Sequence, residues 1–125
     1  RNFPYTEEKK LLRQYLSAAD VFFYPTKGDT FGLISAEALS CGTPVVTYST
    51  DALPEIVLHK IVGYVAEYGN IESAKMGIEY VLNLSKDNYD LMSTKARERI
   101  VNNFSYEKMY REYLALYKKI IHIVT

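Results

Sequence analysis

The stretch from Val21 to Tyr48 leaves few folds open to this chain. Val21-Phe22-Phe23-Tyr24 is a short run of aromatic and β-branched residues closed by Pro25, which predicts a buried strand. A loop with Gly28 and Gly32 follows. Thr30 is the predicted N-cap of a helix whose faces come from Leu33, Ile34, Ala36, Ala38, Leu39 and Cys41. Gly42 and then Pro44 stop that helix, and Val45 to Tyr48 predicts a second apolar strand. Strand, glycine-bearing loop, helix, strand is a βαβ unit with the helix N-terminus above the carboxyl ends of the strands. Open α/β sheets bind ligands there, and that N-terminus favours an anion such as a phosphate.

Two acids bracket the helix, Asp29 just ahead of its start and Glu37 two turns in. At about 1.5 Å rise per residue they lie on the order of 10 Å apart along the axis. That separation suits a ligand with hydroxyls at both ends and phosphates between, a sugar nucleotide. Glu37 can accept two hydrogen bonds from a ribose diol, and Asp29 can accept from hexose hydroxyls. On spacing alone, a capping Asp and a solvent-facing Glu fit as well.

With 125 residues the chain is long enough for one domain with a core of its own. Fifteen basic and fifteen acidic residues cancel, so bulk charge makes no case for nucleic acid or an anionic membrane. The single cysteine, Cys41, has no disulfide partner, suits a reducing compartment and reads as an inert buried thiol. No run approaches 18 apolar residues, so no transmembrane segment is expected.

Around the βαβ unit the remaining elements follow from caps and periodicity. Thr6 is the expected cap of a first helix, with Glu7 and Glu8 in its first turn and Leu11, Leu12, Tyr15, Leu16 and Ala19 inward. Pro54 starts a short helix running to about His59, with Glu55 as its first-turn acid. His59 reads as a surface histidine. Ile61 to Ala66 predicts a third strand, interrupted by Gly63 and so near a sheet edge. Helices are expected from Ile71 to Leu84, with Ala74, Ile78, Val81 and Leu82 inward, and from Lys86 to Asn102, with Tyr89, Met92, Ala96 and Ile100 on one face. Lys95, Arg97 and Arg99 read as solvated. Lys27 reads as a loop charge within reach of a phosphate. Ser105 caps the last helix, and Phe104 can staple to Met109. Tyr110, Tyr113, Leu116, Tyr117, Ile120 and Ile121 then make a stripe that reads as core packing.

The segment Asp29-x7-Glu37, followed by Ala38-Leu39-Ser40-Cys41-Gly42-Thr43-Pro44-Val45-Val46, resembles the E-x7-E segment of the family 4 (group 1) retaining glycosyltransferases of GT-B fold. The resemblance covers nearly the whole chain, from Phe3-Pro4-Tyr5 through Ala19-Asp20-Val21, Leu53-Pro54-Glu55-Ile56-Val57 and Gly63-Tyr64-Val65 to the last helix. Two departures stand out. Asp29 replaces the family's first Glu and is one methylene shorter, and Asp51-Ala52 replaces the usual Gly-Gly before x-Pro-Glu.

The resemblance implies an α/β fold: a partial Rossmann-like domain with a short parallel sheet flanked by helices, and C-terminal helices. Residues 1–125 would be a single domain, the latter part of a nucleotide-sugar-binding domain. An acceptor domain, the first strands of the donor domain and the Arg and Lys used against the diphosphate would lie upstream, and a sheet edge would stay unpaired. The implied reaction is transfer of a sugar from a nucleotide-sugar donor to an acceptor hydroxyl with the anomeric configuration kept. Asp29 and Glu37 are the implied catalytic acids, Glu37 on the ribose and Asp29 on the donor sugar. Main-chain N–H groups of Thr30, Phe31, Gly32 and Leu33 would face diphosphate and sugar; Phe3 to Tyr5 are candidates for the base, although the residues themselves read rather as core packing or an edge-strand end. The partners expected are a nucleotide-sugar donor and a sugar or lipid-linked acceptor held by the N-terminal domain, with no nucleic acid. The last helix would reach back toward that domain. No cofactor and no metal are expected, since the nearest acidic pair, Asp87-x-x-Asp90, is in a predicted helix far along the chain from the donor loop. The expected location is cytoplasmic, including the inner face of the membrane.

A fragment of this kind is expected to be inactive by itself. The rival reading is a non-catalytic nucleotide or nucleotide-sugar binding module. A flavodoxin-like receiver would need a phosphorylatable Asp, an acidic pair and a Lys at strand ends, and the chain has no such set. A sugar-nucleotide epimerase shares the architecture but not the long transferase-like segment.

Overall fold

The computed structural model describes residues 5–124, the side chains of 122–124 excepted. The elements run α1 (Lys9–Ala18), β1 (Phe22–Tyr24), α2 (Leu33–Ser40), β2 (Val45–Tyr48), α3 (Leu53–Ile56), β3 (Gly63–Ala66), α4 (Ile71–Leu82), α5 (Lys86–Asn103) and α6 (Tyr106–Val124). The three strands form one parallel sheet in the order β1-β2-β3, with Phe22 opposite Val45 and Val45 opposite Gly63. This is the α/β architecture expected, a short parallel sheet flanked by helices.

Alternation along β2 divides the core. Val45 packs with Leu16, Ala36, Leu39, Ile56 and Ala96, from α1, α2, α3 and α5. Val46 points the other way, into Val81 and Met92 of α4 and α5, and Tyr48 joins Ala66 and Ala74 on that side. Helices thus cover both faces of β2, so all four of its residues are buried and the strand reads as an unbroken apolar run. Gly63 lies against β2 so closely that a Cβ would come within 2.0 Å of the Val45 carbonyl oxygen. The close approach accounts for the glycine that interrupts the strand pattern.

Several boundaries differ from expectation. Thr6 does not cap α1: its Oγ1 accepts from Glu8 N (3.1 Å), closing a turn ahead of a helix that starts at Lys9, so Glu7 and Glu8 precede the first helical turn. Thr30 does not cap α2 either. The residue before that helix is Gly32, in the left-handed region at φ +82°. One turn of helix makes up α3, which ends at Ile56 because Val57 is extended, and β3 starts at Gly63 after a turn. The strand at Val21–Tyr24 is less buried than its composition suggests. Among the described residues no strand lies beyond β1, and Phe23 is 39% exposed.

Long-range contacts and exposure overturn four more readings. Arg97 and Arg99 are not simply solvated. Arg97 donates to Ser40 O at the end of α2 (2.6 Å), and Arg99 donates to Glu55 O while its guanidinium lies over Phe104. Both cations thereby meet carbonyls in the last turn of another helix, where the dipole favours them. Cys41 is half-buried, not buried, and Leu82 is exposed. The stripe on α6 is not core: Tyr110, Tyr113, Leu116, Tyr117, Ile120 and Ile121 are all exposed, because no described element covers that face. Among the described residues, no helix is long and apolar enough to cross a membrane.

Candidate functional site

Three loops meet at the carboxyl ends of the strands, and the one after β1 is the most tightly held. Pro25 ends β1 and Thr26 Oγ1 donates to Gly28 O (2.8 Å), turning the chain toward α2. Asp29 then folds back on the amides that follow it. Its Oδ1 accepts from Phe31 N (3.1 Å) and Gly32 N (2.7 Å), and its Oδ2 accepts from Tyr24 Oη (2.9 Å). The amides of Gly32 and Phe31, and then the Tyr24 hydroxyl, hold its carboxyl below the ordinary value of 3.8. The same bond raises the Tyr24 hydroxyl above its ordinary 10.0, since ionising it would remove the donor and set two negative charges together. A carboxyl held low in the fold contributes stability above its unfolded pKa, and that contribution is lost as pH falls through the folded value. The loop therefore keeps this support at neutral pH and gives it up only below 3.8. Asp29 thus ties down the turn that leads into α2, while no side chain caps the helix itself.

The other two loops clasp this one. Asp51, after β2, accepts from Asp29 N on its Oδ2 (2.9 Å). Tyr68, after β3, reaches the Lys27 carbonyl (3.4 Å). Leu53 covers Gly32 so closely that a Cβ there would come within 2.4 Å of the Leu53 side chain, which with the positive φ restricts position 32 to glycine.

Of the amides expected to face a diphosphate, those of Phe31 and Gly32 already donate to Asp29. Those of Leu33, Ile34 and Ser35, the first three of α2, have no acceptor among the described residues, as helix geometry requires. The Ser35 hydroxyl is fully buried and also has no partner there.

Glu37 is half-buried and borders a cavity of about 380 Å³ with Lys9 and Arg13 of α1, Leu33 and Ala36 of α2, and Phe104. Asp29 is not among the residues that line this cavity. Phe31 and Phe104 meet edge-on, centroids 5.9 Å apart, and both also line a cavity of about 540 Å³ with Met109, Tyr113 and Leu116. Lys9 and Arg13 were missed by the sequence reading. Their i,i+4 spacing on one face of α1 was visible, but nothing local tied that face to Glu37. Of the residues expected near a base, Phe3 and Pro4 lie outside the described residues, and Tyr5 is exposed. No group of three or more His, Cys, Asp or Glu among the described residues is arranged to hold a metal.

Comparison with known proteins is consistent with this geometry. Residues 2–117 match the family profile described as glycosyl transferases group 1. N-acetyl-alpha-D-glucosaminyl L-malate synthase of Bacillus anthracis is 26% identical over 110 residues, which are 86% of this chain and 28% of that protein. The chain thus spans little more than a quarter of the length of this relative. Among solved structures, sucrose-phosphate synthase from Thermosynechococcus elongatus superposes with a TM-score of 0.84 at 24% identity, over 98% of this chain and 30% of that one. HepE from Anabaena, solved in complex with UDP-glucose, gives 0.70 at 19% identity, over 86% and 30% of the two chains. At these identities the likeness establishes the shared fold, which is GT-B.

Proposed function

The chain belongs to the group 1 glycosyltransferases, and from that premise we propose that it is the latter part of a donor-binding domain in a longer retaining enzyme. The reaction is transfer of a sugar from a nucleotide-sugar donor to an acceptor hydroxyl with the anomeric configuration kept. The acceptor, a sugar or a lipid-linked sugar, is bound by a domain upstream. The observation that carries this reading is the start of α2, where three amides without acceptors among the described residues sit at the carboxyl end of a parallel sheet, within about one turn of a Glu that has no hydrogen-bond partner on its carboxylate among the same residues.

In this reading the anomeric carbon parts from the diphosphate as the acceptor oxygen bonds to it. The acceptor proton leaves with the diphosphate. Charge that builds on the leaving group is met by the N–H groups of Leu33, Ile34 and Ser35, dipoles already aimed before reaction begins. Thr30, Phe31, Gly32 and Leu33 form the donor loop. Within it Phe31 and Gly32 act through Asp29, and Leu33 donates directly. Glu37 accepts from the ribose diol. Asp29 spends three acceptor positions on the loop and keeps one for a hexose hydroxyl. No metal is assigned a step.

Glu37→Gln in the full-length enzyme keeps shape and loses charge. Hydrogen bonds to charged groups contribute roughly 1.5–3 kcal/mol, so nucleoside diphosphate affinity should fall by about 10- to 100-fold. Asp29→Asn should lower turnover and donor-sugar discrimination while leaving nucleoside diphosphate binding nearly intact. Calorimetric titration of both variants separates the roles, and equal losses of affinity refute them. The anomeric signals of the product by NMR test retention. Tight binding of the sugar nucleotide with no transfer to any acceptor would favour the binding-module alternative.

A further inference from the structure

We propose that Asp51 is a positioning residue that holds the loop of residues 26–32 in its ligand-ready shape before any donor arrives. The inference rests on the reading that this loop meets the diphosphate end of a nucleotide sugar. Asp51 has φ +45°, in the left-handed region that residues bearing a Cβ avoid. What keeps an L-residue there is its short carboxylate, which accepts from Thr50 Oγ1 (3.3 Å) and from Asp29 N (2.9 Å).

The second of these bonds joins the loop after β2 to the loop after β1 across 22 positions of sequence. Asp29, gripped at its amide, in turn grips the amides of Phe31 and Gly32, so one chain of bonds runs from Asp51 to the threshold of α2. A Cβ built on Gly28 would stand only 3.5 Å from Asp51 Oδ2, so the carboxylate packs along the loop backbone as well. By charge alone a carboxylate this near the path of a diphosphate opposes binding, so its contribution is geometric.

The consequence separates stability from binding. Glycine at position 51 relieves the left-handed φ but removes the acceptor. Asp51→Gly in the full-length enzyme should therefore melt at the same temperature or higher, yet bind UDP and ADP about tenfold more weakly, as expected if the competent loop falls to roughly a tenth of the population. Uridine and adenosine, which lack the diphosphate, should bind Asp51→Gly as they bind the unsubstituted enzyme. Asp51→Asn keeps an acceptor and tolerates the left-handed region, so it should recover most of the diphosphate affinity.

Amide hydrogen exchange provides the independent readout: in Asp51→Gly it should accelerate at Asp29, Phe31 and Gly32. Undiminished diphosphate affinity in Asp51→Gly, equal loss for nucleosides and diphosphates, or unchanged exchange at those three amides would each overturn the proposal. If the unsubstituted enzyme binds none of the four probes, the donor-site reading fails instead. Exchange then decides the clamp alone, faster exchange supporting it and unchanged exchange removing it.

Discussion

The two long C-terminal helices reverse what their sequences advertise. α6 carries a clean apolar stripe from Tyr106 to Ile121, and apart from Lys108 every side chain described on it is exposed. α5 has a poorer stripe, interrupted by Ser93, Thr94, Lys95, Arg97 and Glu98, yet it buries Met92 and Ala96 against the core and packs along α2. Docking of α5 is sealed by polar contacts that no periodicity reveals, Arg97 to Ser40 and Arg99 to Glu55. Periodicity states that a face is apolar. What covers the face depends on which elements the sheet brings within reach, and the sheet brings α2 to α5 and nothing described to α6.

The contrast can be broken most directly at Met92. Met92→Ala empties a site that is 5% exposed beside Val46 and Val81, and should cost about 2–4 kcal/mol by urea denaturation. Arg99→Met keeps the aliphatic stem and loses the bond to Glu55 O, a change expected to cost about 1–1.5 kcal/mol. Deleting residues 106–125 removes a whole helix and should still cost less than Met92→Ala, under about 1 kcal/mol, with the slope against urea little changed, because the side chains described on α6 are nearly all exposed. Smallest of all should be Tyr113→Ser, within about 0.5 kcal/mol. A loss at Tyr113 as large as that at Met92 would mean that α6 is docked in solution and that the two helices are alike.

The βαβ unit was legible because its signals are local. Gly42 and Pro44 stop α2 where expected, and Val45 to Tyr48 forms a strand buried along its whole length. The cap of α2 was misassigned for an instructive reason. Thr30 is a common capping residue, but the helix starts three residues later behind a left-handed Gly32, no side chain caps it, and Asp29 takes the amides of the preceding turn. The helix boundaries at Thr6 and Ile56 moved because a Thr hydroxyl can close a turn as readily as it caps a helix, and because Val57 turns extended into a fully buried position.

At the candidate site, spacing located both acids and said nothing of their company. Asp29 and Glu37 belong to one loop and one helix, and any reader of the chain can count the interval between them. The anchoring of Asp29 depends on Tyr24 and on the loop's path, its tie to Asp51 spans the neighbouring crossover, and Glu37 shares its cavity with α1 residues more than twenty positions away.

From its sequence alone the chain determined the alternation of strand and helix, the parallel sheet that alternation requires, and the glycine and proline punctuation around α2, since these depend on dihedral preferences and on hydrogen bonds between near neighbours. Only the tertiary structure decided that Asp29 is a loop anchor, that Asp51 grips it, that Arg97 and Arg99 close helix ends, and that α5 buries side chains where those described on α6 stay exposed. Each of those outcomes depends on groups far apart in sequence coming within a few ångströms of each other, and that distance is set by packing of the whole sheet and its helices.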